Sequence, residues 1–268
     1  MCKRTIITSI IKHQTNYNMI RLFLFNILLL IIIASCRPNS NPKIIDGFES
    51  NKLSNIWRSD KFIPGDFEIQ SNIVKSGKFA AKITLHPGDQ INDEKGTILE
   101  RAEIMEALKY TSREDRLYSY KFSLFLPADF PIDSTRLVIA QWKQDCKSGK
   151  CDPGNPIIAV RYSSGKLNIT LQTGLEKNVL YNLTDDIRNQ WLDFKFEIRF
   201  SRQQKGLIIV YLNDQKIIDY SGITAYTGEY GYPFHGRYYF KTGLYRDKMD
   251  RSMTIYIDDF EKYEIMKN

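Results

Sequence analysis

Residues 44–268 are predicted to form one all-β domain, a two-sheet sandwich of the jelly-roll kind, and three observations predict it. Apolar and polar residues alternate in short runs, turn residues interrupt those runs at regular short intervals, and no long stretch shows the 3.6-residue period of an amphipathic helix. At 268 residues, 43% hydrophobic and 26% charged, the composition is that of a folded globular chain and excludes a disordered or collagen-like one. No internal repeat or second-domain linker divides it.

The elements follow in order. Residues 20–35 read IRLFLFNILLLIIIAS, and the apolar run 27–34 suits a signal-peptide core while being short for a membrane-spanning helix. The run ends at Ala34-Ser35-Cys36, which resembles the lipobox of bacterial lipoproteins, where the cysteine is lipidated after cleavage. The expectation is a signal peptide over 1–36 with Cys36 as lipidation site, and a tether over 37–43. The remainder is then exported to the periplasm or the outer-membrane surface, touching the membrane only through its lipid; a plain membrane anchor is the alternative. Lys3, Arg4, Lys12 and Arg21 belong to this leader, so the formal net charge falls from +7 to +3 without it. Bulk charge therefore does not argue for nucleic acid, and no zinc-finger, RRM or basic-helix signature revives that reading.

Strands are expected over 117–126 (stopped by Pro127), 137–143, 157–162, 167–172, 194–200, 207–212, 216–220, 238–245 and 253–263. Ser163-Ser-Gly-Lys166 and Asn213-Asp214 are the turns of two hairpins. Cys146 and Cys151 flank a loop with Gly149, and an exported compartment permits a disulfide between them. A metal pair is the weaker alternative, since no further cysteine or histidine cluster completes a coordination shell.

Residues two apart on a strand share a face. Arg101 and Glu103 then point away from Ala102 and Ile104, Gln141 and Lys143 away from Trp142, and Tyr239, Lys241 and Tyr245 away from Phe240 and Leu244. Gly243 leaves that face open for something to approach. A solvated exterior accounts for Lys and Glu but poorly for recurring Gln and Tyr; a carbohydrate groove accounts for all of them.

The segments ERAEI (100–104), YSYKFSLFLPADFP (118–131), IAQWK (139–143), NPIIAV (155–160) and YYFKTGLYR (238–246) resemble, in order and spacing, the heparin lyase I-like polysaccharide lyases. That group includes glucuronan lyases and is similar to the jelly-roll alginate lyases with their R-x-E-L-R, Q-I-H and Y-F-K-x-G-x-Y signatures. The resemblance runs from about residue 45 to the C-terminus. It implies a concanavalin-like jelly roll that cuts uronate-containing acidic polysaccharides, heparin/heparan sulfate-like or glucuronan-like, by β-elimination. It implies no cofactor for the chemistry and is consistent with a monomer.

In that reaction a proton leaves C5 beside the uronate carboxylate and the C4–O bond breaks. The site must neutralise the carboxylate and stabilise the enediolate charge. The resemblance assigns Tyr245 as base and acid, with Gln141, Arg101 and Lys143 on the carboxylate. Glu103, Lys241, Tyr239, Arg246 and His235 are the expected substrate contacts. A tyrosine with an ordinary pKa of about 10 needs cationic neighbours to work as a base. One tyrosine in both roles implies syn elimination. Two departures stand out: Lys143 where relatives often carry His, and Met105 where alginate lyases place a second Arg, which weighs against alginate. Glu49 in Asp46-Gly-Phe-Glu49 and Asp258 in Tyr256-Ile-Asp-Asp259 resemble terminal-strand ligands of a structural Ca²⁺ in sugar-active jelly rolls.

Two other function classes compete. A non-catalytic carbohydrate-binding jelly roll draws its support from Lys143. A glycoside hydrolase needs two carboxylates about 5–10 Å apart, and Glu103 has no evident partner in the sequence.

Overall fold

The computed structural model describes residues 43–58, 62–90, 99–146, 155–227 and 234–266. The expected signal peptide, Cys36, most of the tether and Cys151 lie outside them. Among the described residues sixteen strands follow in chain order: β1 Ile44–Asp46, β2 Trp57–Arg58, β3 Phe67–Gln70, β4 Ala80–Leu85, β5 Leu99–Glu106, β6 Ser112–Arg113, β7 Leu117–Phe125 and β8 Leu137–Cys146, then β9 Ile158–Ser163, β10 Lys166–Leu171, β11 Asn178–Leu183, β12 Trp191–Arg199, β13 Gly206–Leu212, β14 Gln215–Gly222, β15 Phe234–Asp247 and β16 Met253–Glu264. A short 3₁₀ turn, Leu108–Tyr110, separates β5 from β6.

Among the described residues all pairings between these strands are antiparallel, and they make two eight-stranded sheets. Sheet I runs β14-β13-β12-β7-β16-β4-β3, with β1 added on β16; sheet II runs β11-β10-β9-β8-β15-β5-β2, with β6 added on β15. The all-β sandwich expected from the alternation is the observed fold. Its core is the apolar half of each alternating strand: Phe122, Phe194, Phe196, Ile255 and Ile257 from sheet I meet Ile104, Trp142, Val160 and Phe240 from sheet II. Trp142 sits at its centre, with ring centroids 4.4 Å from Phe196 and 4.9 Å from Phe240. Burying such rings removes the largest apolar areas from water, about 25 cal/mol per Å².

The two predicted hairpins form as their residues dictate. Asn213 (φ 49°) with Asp214 (φ 64°) and Ser164 (φ 52°) with Gly165 (φ 78°) both take the paired left-handed conformation of a type I′ turn.

Two of the register shifts in sheet II shape the site. β8 carries one extra residue against β9 between Val138 and Ala140, and β15 carries one extra against β8 between Thr242 and Tyr245. Ile139 and Ala140 consequently both point into the core, and the residues before them switch faces relative to Gln141. Gly243, at φ +141°, sits in the β15 irregularity. A Cβ there would lie 2.3 Å from the Ala102 carbonyl oxygen and 2.7 Å from the Glu103 Cα. The space that glycine was expected to leave for a ligand is occupied by the β5 backbone; the residue serves close strand approach instead.

Candidate active site on sheet II

Cross-strand register assembles the site. On the solvent side of sheet II, Tyr239 stands opposite Lys143, Lys241 lies between Gln141 and Met105, Gly243 faces Glu103, and Tyr245 lies between Arg101 and Val138. The three strands that the sequence marked as polar-faced are thus adjacent, in the order β8-β15-β5, and their polar residues share one surface.

At its floor is Glu103, only 1% exposed. One of its carboxylate oxygens accepts from the Gln141 Nε2 amide, and the other lies 3.0 Å from Arg101 Nε and 3.9 Å from Lys241 Nζ. Glu103 was expected to touch substrate. Buried beneath one amide donor and two cations, it is instead placed as an anchor for them, bonded to Gln141 and paired by charge with Arg101 and Lys241.

Tyr245 lies above this floor. The Arg101 guanidinium carbon stands 4.2 Å from its ring centroid and that of Arg136 stands 4.9 Å away. Arg136 is held by Asp247 at 2.7 Å. Two cations therefore stand over the ring on which negative charge forms when its proton leaves. Tyr239 differs: burial, then the carboxylates of Asp145 and Glu103, pushes its phenol well above the ordinary tyrosine range, against Arg101 and Arg58. Tyr239 remains a proton donor across the physiological range. The two tyrosines that the alternation placed together have different electrostatic surroundings.

Arg161 adds charge two strands away. It stands opposite Val138 and donates through Nε to Thr170 Oγ1 at 3.2 Å. Burial first, then the nearby Arg136, holds its guanidinium below its ordinary pKa, against the pull of Tyr245 and Tyr226.

Other expected site residues lie elsewhere. Arg246 is 0% exposed and points into the sandwich, where Nε donates to Glu100 at 2.7 Å and Nη1 donates to the Arg251 carbonyl at 2.6 Å. As the neighbour of an outward Tyr245 it must face inward, so it does not contact substrate. His235 is half-buried at the start of β15, and its carbonyl accepts from Gln144 Nε2 at 3.1 Å. Tyr239 lies four positions further on, about 13 Å of extended strand.

Glu49 and Asp258 converge on one loop, but as caps. Glu49 accepts from the backbone amides of Lys78 and Phe79, and Asp258 from those of Lys75, Ser76 and Asp259. Amide donors take most of the lone pairs of these two carboxylates, which gives both a structural role in holding the loop. Cys146 ends β8 and is disulfide-bonded.

Arg136 and Arg58 were not anticipated. Alternation counted back from Gln141 assigns Arg136 to the core, and the bulge at Ile139–Ala140 reverses that assignment. Arg58 pairs with Met105 in register, so β2 delivers a guanidinium beside the position where alginate lyases carry their second arginine. Its signal was faint, because β2 is two residues long.

A family model described as polysaccharide lyase matches residues 44–261, and the chain belongs to that family. It is a polysaccharide lyase, and a polysaccharide is its substrate. Among solved structures, the chain is similar to an endo-β-1,4-glucuronan lyase from the fungus Trichoderma reesei, with a TM-score of 0.62 and 14% identity over 85% of this chain and 96% of that one. It is also similar to alginate lyase A1-II′ of polysaccharide lyase family 7, with a TM-score of 0.55 and 14% identity over 76% of this chain and 86% of that one. A substituted form of the latter, in complex with the substrate GGMG, matches with a TM-score of 0.55 and 14% identity over 77% of this chain and 85% of that one. At these identities the likeness is one of fold. No curated protein matches the chain in sequence.

Proposed function

We propose that the protein cleaves a uronate-containing acidic polysaccharide, heparin/heparan sulfate-like or glucuronan-like, by β-elimination on the face of sheet II. The observation that carries this reading is Tyr245 beneath the Arg101 and Arg136 guanidiniums, beside the Glu103-anchored Gln141 and Lys241. Arg101, Gln141 and Lys143 neutralise the uronate carboxylate, so that C5 can lose its proton to Tyr245. The C5–H electron pair forms the C4=C5 bond, the C4–O bond breaks, and Tyr245 returns the proton to the leaving oxygen. One residue in both roles makes the elimination syn. Tyr239, which holds its proton, donates a hydrogen bond to the bound sugar. Lysine at position 143 supplies charge where relatives often carry a histidine base, which leaves Tyr245 to take the proton. Every step uses side chains of the chain itself and needs no cofactor. Kinship with the heparin lyase I-like branch rests on the ERAEI, IAQWK and YYFKTGLYR segments; Arg58, which adjoins Met105, keeps a cation available on the β5 side of the groove.

The apolar run 27–34 followed by Cys36 supports export as a lipid-anchored protein of the periplasm or outer-membrane surface. Labelled palmitate incorporation that vanishes in Cys36→Ala would test the anchor.

The enzymatic test is ultraviolet absorbance of the 4,5-unsaturated uronate on heparin, heparan sulfate, glucuronan and alginate. A rise is expected on one of the first three, reduced about 10³-fold or more in Tyr245→Phe. A wild type that produces no rise while binding the same polymers would replace the lyase reading with a carbohydrate-binding one.

A further inference from the structure

The solvent face of sheet II holds more positive charge than the elimination uses. Tyr245 and Arg161 both stand opposite Val138, on β15 and β9 respectively, so ring and guanidinium share that face two strand spacings apart, about 10 Å. Arg136 lies over Tyr245, and Lys177 is exposed in the turn between β10 and β11. Arg161 and Arg136 both depress the Lys177 ammonium, Arg161 most strongly, and Arg136 depresses the Arg161 guanidinium. These three cations therefore sense one another. Against them stands Asp247, exposed and bonded to Arg136; among the described residues no carboxylate pairs with Arg161 or Lys177. Elsewhere on the surface a cation typically has its acid, as Lys75 has Asp193 and Arg188 has Asp186, both at 2.7 Å. A half-buried guanidinium with hydrogen-bonding capacity unspent, flanked by like charges, is an electrostatic vacancy for an anion.

We infer that Arg136, Arg161 and Lys177 form a second anion subsite that holds an acidic group of the polymer beyond the uronate at Tyr245. The enzyme then selects chains with acidic groups in succession. This inference rests on the lyase reading for the identity of the ligand. The group bound is a carboxylate of a further uronate or a sulfate ester; both offer the planar or tetrahedral oxyanion that a guanidinium binds through paired N–H donors.

The test measures binding and turnover separately. In Tyr245→Phe protein, which binds without cleaving, calorimetry would follow oligo-glucuronate, heparan sulfate oligosaccharides and a neutral cello-oligosaccharide. Adding Arg161→Gln is expected to weaken binding of the acidic oligosaccharide about tenfold, and Lys177→Gln about threefold, with no change for the neutral one. Loss on oligo-glucuronate names the carboxylate; loss confined to the sulfated chain names the sulfate. In the otherwise native enzyme Arg161→Gln should raise KM about tenfold, with kcat falling less than about twofold. Lys177 is fully at the surface, so its variant folds and keeps the test decisive should Arg161→Gln misfold. Acidic-oligosaccharide affinities unchanged in both variants, beside a working lyase, would overturn the subsite and leave the lyase. Affinity lost in both variants, in a wild type that forms no unsaturated product, would overturn the lyase and leave the subsite.

Discussion

The outer faces of the two sheets are built from the same residue types and differ in how charge is distributed over them. On sheet I a cleft of about 530 Å³ is lined by Lys75, Lys121, Asp193, Lys195, Tyr211 and Glu261, among others. It too has a tyrosine beneath a cation, Tyr211 with Lys195 at 4.9 Å. Yet Lys75 is paired with Asp193 at 2.7 Å, Lys195 with Glu197 at 2.5 Å and Lys121 with Glu261 at 3.7 Å. On sheet II the acid beneath the site is submerged: Glu103 lies beneath Arg101, Gln141 and Lys241, the exposed Asp247 is bonded to Arg136, and Arg161 has no acid at all among the described residues. Neutralised charges spread over an open cleft offer a polyanion nothing, whereas cations raised over buried acids project a field outward. The cleft on sheet I is therefore not the reactive one.

Substitutions can break or sharpen this contrast. The largest stability effect should come from inside sheet II. Arg246→Met leaves Glu100 buried without its cation, which should destabilise by about 3–5 kcal/mol in urea unfolding. A midpoint close to wild type would mean that Arg246 is no internal strut and reopen its role in the groove. Next comes Gly243→Ala, whose methyl would meet the Ala102 carbonyl at 2.3 Å. We expect about 2 kcal/mol lost in thermal melts and a fall in initial rate of about tenfold as β5 shifts Arg101 and Glu103. An active, undisturbed alanine variant would restore Gly243 as a ligand gap.

Asp258, under the loop beside sheet I, sharpens the contrast through pH. Burial raises its carboxyl from 3.8 to about 6, against the amide donors that lower it. A carboxyl raised on folding binds its proton more tightly in the native state, so its contribution to stability is complete below 3.8 and fades as pH rises through about 6. Wild-type stability minus that of Asp258→Asn should thus decline across this window; a flat difference would remove the burial argument. The smallest effect belongs to the paired face: Lys75→Ala should cost less than about 1 kcal/mol and leave the lyase rate unchanged. A rate loss there would give sheet I a share in the reaction.

Much of this was legible in the sequence where alternation ran unbroken. Arg101 with Glu103, Gln141 with Lys143, and Tyr239 with Lys241 and Tyr245 needed only period-two counting to be placed on a common face. Period two also assigns Arg246 to the opposite face, a signal present in the sequence and outweighed by its nearness to Tyr245. Arg136 was not legible, because the bulge that turns it outward lies among Leu137, Val138, Ile139 and Ala140, all apolar, where no polar residue marks the change of phase. Ala80–Leu85 could not be given strand bounds from the sequence for a related reason: paired alanines give alternation too little contrast. The Glu103 anchor was hidden because nothing in a linear chain tells an acid that faces solvent from one roofed by its neighbours.

The bulge in β8 has a consequence for comparing this chain with its relatives. It splices two reading frames into one strand, so that odd positions face solvent after it and even positions before it. A relative that lacks the extra residue presents, at the column aligned with Arg136, a side chain from the other frame. Alignments that open no gap between 137 and 140 will match a groove cation with a core hydrophobe and score the difference as divergence. Grafting this end of the groove onto another lyase scaffold therefore means transplanting the inserted residue along with the arginine.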